Sequence, residues 1–247
     1  VSKYLAFLAA GLALSATPAF AQSLTIETPD VLKGRFEIEA DNTYLREAVG
    51  DDDVFAHRLT VAYAPYENLR FAVGAVANDL VGQGPTVDQY LAEVRFEGPR
   101  PSWMPFEWGL QATYLGGGPE GVNDAMELRF LATTDIGPVD IVSNLNLSRE
   151  VGGGAGEDTH FDLLLEGRLP ISEQFIAAIT YSGQLGTDEE FGDLGSIGQY
   201  LGPTIYASLP VPVANSALGI EAGVLFGLNE ESLDTVGKIN LTWATQF

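Results

Sequence analysis

Between Lys33 and Tyr44 charged and apolar residues alternate. Lys33, Arg35, Glu37, Glu39 and Asp41 interleave with Gly34, Phe36, Ile38, Ala40 and Tyr44. A strand projects successive side chains to opposite faces, so this segment has one charged face and one apolar face. A soluble sheet buries the apolar face in a core, whereas a transmembrane barrel turns it to lipid and keeps the charged face in its lumen. The rhythm recurs and predicts about twelve strands, at 33–45, 54–65, 69–78, 88–97, 105–115, 124–134, 138–148, 158–169, 173–184, 197–209, 216–227 and 235–247. Their lengths suit tilted membrane-crossing strands, and bacterial barrels have an even number of them.

The connections alternate in character. Short turns at 66–68, 135–137 and 170–172, with Pro-bearing ones at 98–104 and 210–215, take turns with longer segments rich in Gly and acid. Those segments lie at 46–53, 79–87, 116–123, 149–157, 185–196 and 229–234. Such asymmetry is expected of a barrel with periplasmic turns and extracellular loops. Parity then assigns faces. Rows such as Leu59/Val61/Tyr63, Phe71/Val73, Leu110/Ala112/Tyr114, Leu128/Phe130 and Ala177/Ile179/Tyr181 face lipid, many ending in aromatic rings that favour the interface. The opposite parity collects the charges.

The chain ends on Ile239, Leu241, Trp243, Thr245 and Phe247, alternating up to a terminal phenylalanine. This pattern resembles the last strand of Gram-negative outer-membrane proteins, with the small porin-like barrels nearest in size. The resemblance implies that Ile239, Leu241, Trp243 and Phe247 are read by the barrel-assembly machinery. Thr245 departs from it, being less bulky than the residue usual there. The fold class expected is therefore all-β: a transmembrane antiparallel up-and-down β-barrel of about twelve strands, following a cleaved signal peptide.

That leader is residues 1–21: Lys3, a short apolar run from Tyr4 to Leu14, and the A-x-A site Ala19-Phe20-Ala21. Residues 22–32 are expected to be an N-terminal periplasmic segment and 33–247 the outer-membrane barrel. Residues 22–30 either plug the lumen or hang free. The net charge of −22 excludes nucleic acid as a partner, since that affinity rests on Lys and Arg. The absence of cysteine excludes a disulfide scaffold and thiolate metal sites. No cofactor is expected. The expected partners are outer-membrane lipid, lipopolysaccharide and small solutes.

The candidate pore-lining residues are Arg35, Glu37, Glu39, Arg58, Arg70, Glu93, Arg95, Glu97, Glu107, Glu127, Arg129, Asp162, Glu166, Arg168 and Glu221. These charges either pair and close the bore or form ladders for a permeating solute. The long loops carry Asp51, Asp52, Asp53, Asp188, Glu189 and Glu190, carboxylates able to hold a divalent ion weakly. Arg46 and Arg149 are the only bases there, so the outer mouth attracts cations. The expected function is a porin-like passive channel for small hydrophilic solutes, preferring cations. One alternative is a closed barrel with an envelope-structural or surface-interaction role through its acidic loops. Another is a channel for small hydrophobic or aromatic substrates, for which Leu91, Leu131, Val142, Leu164, Ile176 and Leu225 supply an inward apolar patch. An enzyme is not expected: His57 has lipid-facing parity, but no serine of matching parity lies near it.

Overall fold

The computed structural model describes residues 24–49, 52–80, 84–118, 122–152, 158–192, 197–213 and 215–247. Twelve strands follow in order: β1 (Arg35–Val49), β2 (Asp52–Tyr66), β3 (Leu69–Leu80), β4 (Thr86–Glu97), β5 (Glu107–Gly116), β6 (Asp124–Ile136), β7 (Val139–Val151), β8 (Thr159–Pro170), β9 (Phe175–Thr187), β10 (Gln199–Pro210), β11 (Ser216–Gly227) and β12 (Thr235–Gln246). Each is antiparallel to its neighbours in sequence. Pairing of β1 with β12, from Arg35↔Gln246 to Leu45↔Val236, closes the barrel and removes both sheet edges.

Period two sets the faces as the alternation predicts. Leu59 is 53 % exposed, Val73 62 % and Ile179 55 %, whereas the inward Arg70, Glu93, Arg95 and Glu221 are all buried. Outward aromatic pairs cluster near both ends: Phe36–Trp243 and Phe96–Trp108 toward the short turns, Tyr44–Phe55 toward the long loops. Eight residues separate Tyr63 from Phe55, about 26 Å of strand and roughly 20 Å of height at a barrel's tilt.

One of the expected long loops is mostly strand and a second is shortened at both ends. β1 runs to Val49 and β2 starts at Asp52, while β3 runs to Leu80 and β4 starts at Thr86. Apolar alternation stops short of these strand ends, but backbone pairing does not. Polar residues carry the ladder on: Asn78 pairs with Thr86 and donates to Asp88 at 2.7 Å, and the Tyr44 hydroxyl donates to Asp53 at 2.5 Å.

The N-terminal segment takes the first of its two expected courses over its described residues. Its described part does not lie outside the barrel. Thr25, Ile26, Pro29 and Val31 are buried against walls as far apart as β4, β7 and β12. We call Leu24–Val31 the strap. It enters at the short-turn end through Gly34, whose φ of +80° is left-handed. The Gly34 amide donates to Ala64 at 2.7 Å, and its carbonyl accepts from the Phe247 amide at 3.1 Å. A β-carbon on Gly34 would stand 2.5 Å from the Phe247 oxygen. Gly34→Ala is therefore expected to lower stability by about 1–3 kcal/mol, read as a drop in the urea midpoint of the refolded barrel. An unchanged midpoint would refute this anchoring of the strap.

Candidate functional site

The inward charges sort into two networks on opposite walls. The first spans β1 to β5. Arg70 and Arg95 stand directly opposite each other across β3 and β4, a repulsive pairing unless acids intervene. Glu93 intervenes, bonded to Arg70 at 2.7 Å and to Arg58 at 2.9 Å, and it also accepts from Gln111 at 2.9 Å. Arg70 reaches Glu37 at 2.8 Å and Glu39 at 3.7 Å, and Arg35 pairs with Glu37 at the short-turn mouth. Asn240 of β12 donates to Glu39 at 2.6 Å and also to Asp41.

The second network spans β8 to β12. Glu166, fully buried, accepts from Arg168 at 2.5 Å, from Thr180 at 2.5 Å and from the Tyr206 hydroxyl at 2.6 Å. The Arg168 guanidinium lies over the Tyr206 ring at 4.7 Å. Glu221 pairs with Lys238 at 2.5 Å. Burying such ions costs several kcal/mol each unless partners satisfy them, and here neutral side chains complete the shells of the charged ones.

The strap joins the two walls. Its carbonyls accept from bases all round the barrel: Leu24 from Lys238 at 3.3 Å, Thr25 from Arg129 at 3.5 Å, Ile26 from Arg168 at 3.2 Å and Thr28 from Arg95 at 3.3 Å. The amide and carbonyl of Glu27 pair with the Asn144 side chain, both at 2.8 Å. The Val31 amide donates to Glu97 at 2.7 Å, and the Glu27 carboxylate meets Arg95 at 2.7 Å. Burial works to raise the Glu27 carboxyl, but Arg95, with Arg70 and Arg129, outweighs it and holds the group at about 2.

Apolar clusters share the interior with these charges. Ile26 packs with Val142 and Leu164, and Leu24 touches a second cluster of Leu45, Val54, Leu225 and Val236. Leu131 and Leu225 face inward yet have no exposed surface, so the lumen is filled at their depth. Toward the short turns a cavity of about 510 Å³ stays open beside the strap, lined by Arg70, Arg95, Glu39, Tyr206, Glu221 and Asn240 among others.

Some sequence expectations need correction. Glu107 pairs with Arg100 of the adjacent turn, about one-third exposed, and belongs to the rim rather than the interior networks. Glu127 is half-buried on β6 opposite Thr113 and Ser148, while Asp162 is buried on β8 opposite Asn146. Ile239 and Leu241 face outward and Trp243 meets Phe36, but Thr245 of the same row is buried and Phe247 stands exposed at the end. Asp51, and the side chain of Asp52, lie outside the described residues. Asp53 accepts from Tyr44 and Asp188 from the Thr159 amide. Among the described residues no group of three or more His, Cys, Asp or Glu is placed to hold a metal ion, Glu189 and Glu190 included. Sequence reasoning missed the strap's partner Asn144 and the network members Gln111, Thr180, Tyr206 and Asn240. Their inward parity was the one available signal.

No protein-family model matches the chain, and no curated protein does. Solved structures do. An outer membrane channel designated COG4313, from Pseudomonas putida F1, is 10 % identical with a TM-score of 0.59 over 88 % of this chain and 97 % of that one. A NanC porin is 8 % identical at 0.51, covering 86 % and 100 %, and a KdgM porin 9 % identical at 0.50, covering 85 % and 99 %. At these identities the likeness is one of fold. The chain has the fold of outer-membrane β-barrel channels.

Two outcomes follow from the networks. Glu166→Ala strands the Arg168 charge and is expected to cost about 3–5 kcal/mol, with Glu166→Gln costing less; equal urea midpoints would refute the network. Because the Glu27 carboxyl lies below its ordinary 4.5, its hold on the strap is complete above that pH and fades as pH falls toward about 2. Hydrogen exchange of residues 24–31, corrected for intrinsic rates, should therefore separate the native chain from Glu27→Gln at pH 7. The two should converge near pH 2, and identical protection at pH 7 would exclude the Arg95–Glu27 anchor.

Proposed function

We propose that the protein is a passive outer-membrane channel for small hydrophilic solutes whose bore is occupied by its own N-terminal strap. One observation carries this reading: the filler is not part of the wall. Between residues 24 and 31 the strap forms no strand, and each lumenal bond named above joins its backbone or Glu27 to a wall side chain. It can leave without breaking a single ladder bond, whereas the closing β1–β12 pairs begin only at Arg35. The open cavity on the short-turn side supports a solute path that stops at the strap.

The acidic excess supports the preference for cations. The two networks, the strap and their inward neighbours hold seven bases, Arg35, Arg58, Arg70, Arg95, Arg129, Arg168 and Lys238, against ten carboxylates, Glu27, Asp41, Glu97, Glu127 and Asp162 among them. The acidic loop end would draw cations to the mouth before entry. A second reading, passage of small hydrophobic substrates, is favoured by the buried inward patch, since Leu91, Leu131, Val142, Leu164 and Leu225 are all nearly inaccessible. Residues of that kind offer a hydrophilic solute nothing to bind.

Deleting residues 24–31 and recording single channels in a planar bilayer under a KCl gradient separates these readings. The native chain is expected to give small or rare steps, and the deletion steady, cation-selective steps several times larger. Steady anion-selective steps would refute the cation preference. Silence from a folded, inserted deletion variant would refute the channel and favour the structural role; small steps with faster uptake of an aromatic tracer would favour the hydrophobic substrate.

A further inference from the structure

The membrane-facing wall carries a feature that the lumen does not need. Across β8 to β12 and onto β1 and β2 runs an apolar groove of about 840 Å³. Small outward residues carve it: Gly167, Ala177, Pro203, Ala222 and Gly237. Larger ones on neighbouring strands flank them, as the pairs Ile179↔Pro203, Ile205↔Ala222 and Val224↔Gly237 show. At Gly167 and Gly237 the fold does not require glycine. Neither has positive φ, and a β-carbon would meet nothing closer than 3.7 Å. What glycine leaves there is room.

At one end of the groove Asn42 sits inside the apolar band, just within the Tyr44–Phe55 aromatic contact, with His57 beside two lining residues, Asn42 and Phe55. Asn42 lines the groove, and its Oδ1 lies 2.8 Å from His57 Nδ1. The Asn42 amide nitrogen donates to the carbonyls of Ala40 at 3.2 Å and Ile239 at 3.4 Å, so its oxygen must face the imidazole. His57 therefore carries its proton on Nδ1 when neutral and presents Nε2 as an acceptor. Nε2 has no partner among the described residues, and Phe55 stacks on the ring at 6.2 Å. Polar side chains on a lipid-facing surface are costly and mark function. Acyl transfer is not that function here, because the outward neighbours are Ala77 beside His57 and Ile239 beside Asn42, neither a nucleophile.

We propose that this groove binds one single-chain amphiphile, its acyl chain lying over the small residues and its hydroxyl or protonated carboxyl donating to His57 Nε2. Chemistry selects the occupant. The trough is apolar but for Thr204 and Lys238, which are buried and satisfied on the inner side by Thr180 and Glu221. Its outward polar end is an acceptor beside a spent amide, which suits an O–H head and offers nothing to a quaternary ammonium. The proposal rests on the membrane-barrel reading but needs no conductance.

The test uses the refolded barrel in phosphatidylcholine vesicles, with insertion checked by heat-modifiable migration. The probe is palmitic acid bearing a diazirine on its chain, and the control is phosphatidylcholine carrying the same diazirine chain. Saturable labelling of peptides containing Ile205, Val224 and Ile239 by the fatty acid is expected, displaced by unlabelled palmitic acid. His57→Leu should weaken it about fivefold, the loss of one hydrogen bond. Gly167→Leu and Gly237→Leu, which fill the groove, should abolish it while background labelling at Val73 and Leu128 stays constant. Equal labelling of Val73 and Ile239, equal labelling by the phospholipid, or indifference to all three substitutions would overturn the site. A chain that does not insert would instead refute the membrane reading.

Discussion

Everything inside this barrel answers to one constraint: a charge removed from water must find partners. An inward row of Arg and Glu in a wide bore would be solvated and cost little. Here both rows are buried, and register alone sets Arg70 beside Arg95 on adjacent strands. The structure resolves this with acids placed between bases, with neutral amides and hydroxyls completing each shell, and with a backbone segment whose carbonyls supply the remaining acceptors. The strap belongs to the electrostatics of the wall as much as to the filling of the bore, because bases from β4, β6, β8 and β12 all end on its oxygens.

For the proposed channel this arrangement bears on how the lumen would open. A constriction built from the wall would have to deform a closed ladder to widen. Here the constricting element runs into β1 through a left-handed glycine and is held by side chains, most of them charged, each such bond worth about 1.5–3 kcal/mol net against water. Collectively they seat the strap, yet water could replace them in turn as it withdraws. The apolar contacts of Leu24 and Ile26 resist that exchange, since leaving their clusters exposes surface to the lumen.

The outer wall follows different physics. Its side chains meet hydrocarbon, so size and the absence of polarity decide most positions. Small residues gathered at one depth and a single amide–imidazole pair break that uniformity on the same side of the barrel. Proline contributes as well: the β10–β11 ladder passes from Leu201↔Phe226 to Thr204↔Gly223, leaving Gly202 and Pro203 unpaired on that side. A residue without an N–H interrupts a ladder at little cost where the next strand asks nothing of it.

Alternation was enough to establish the strands, their number, the face each residue shows and the interior position of most charges, because period two is a local property written in neighbouring residues. It also placed Arg58, Arg70, Glu93, Arg95, Glu166 and Arg168 indoors. It erred at Glu107, where a strand end lets parity hold while solvent and Arg100 claim the side chain. It ended β1 and β3 too early, because hydrophobicity marks the membrane rather than the ladder. The strap was beyond its reach. Residues 24–31 have no period, and their meaning lies in bonds to Asn144, Arg168 and Lys238, more than a hundred positions away. Whether a polar segment hangs in water or lies among buried bases depends on which bases the closed register brings together, and only the tertiary structure decides that.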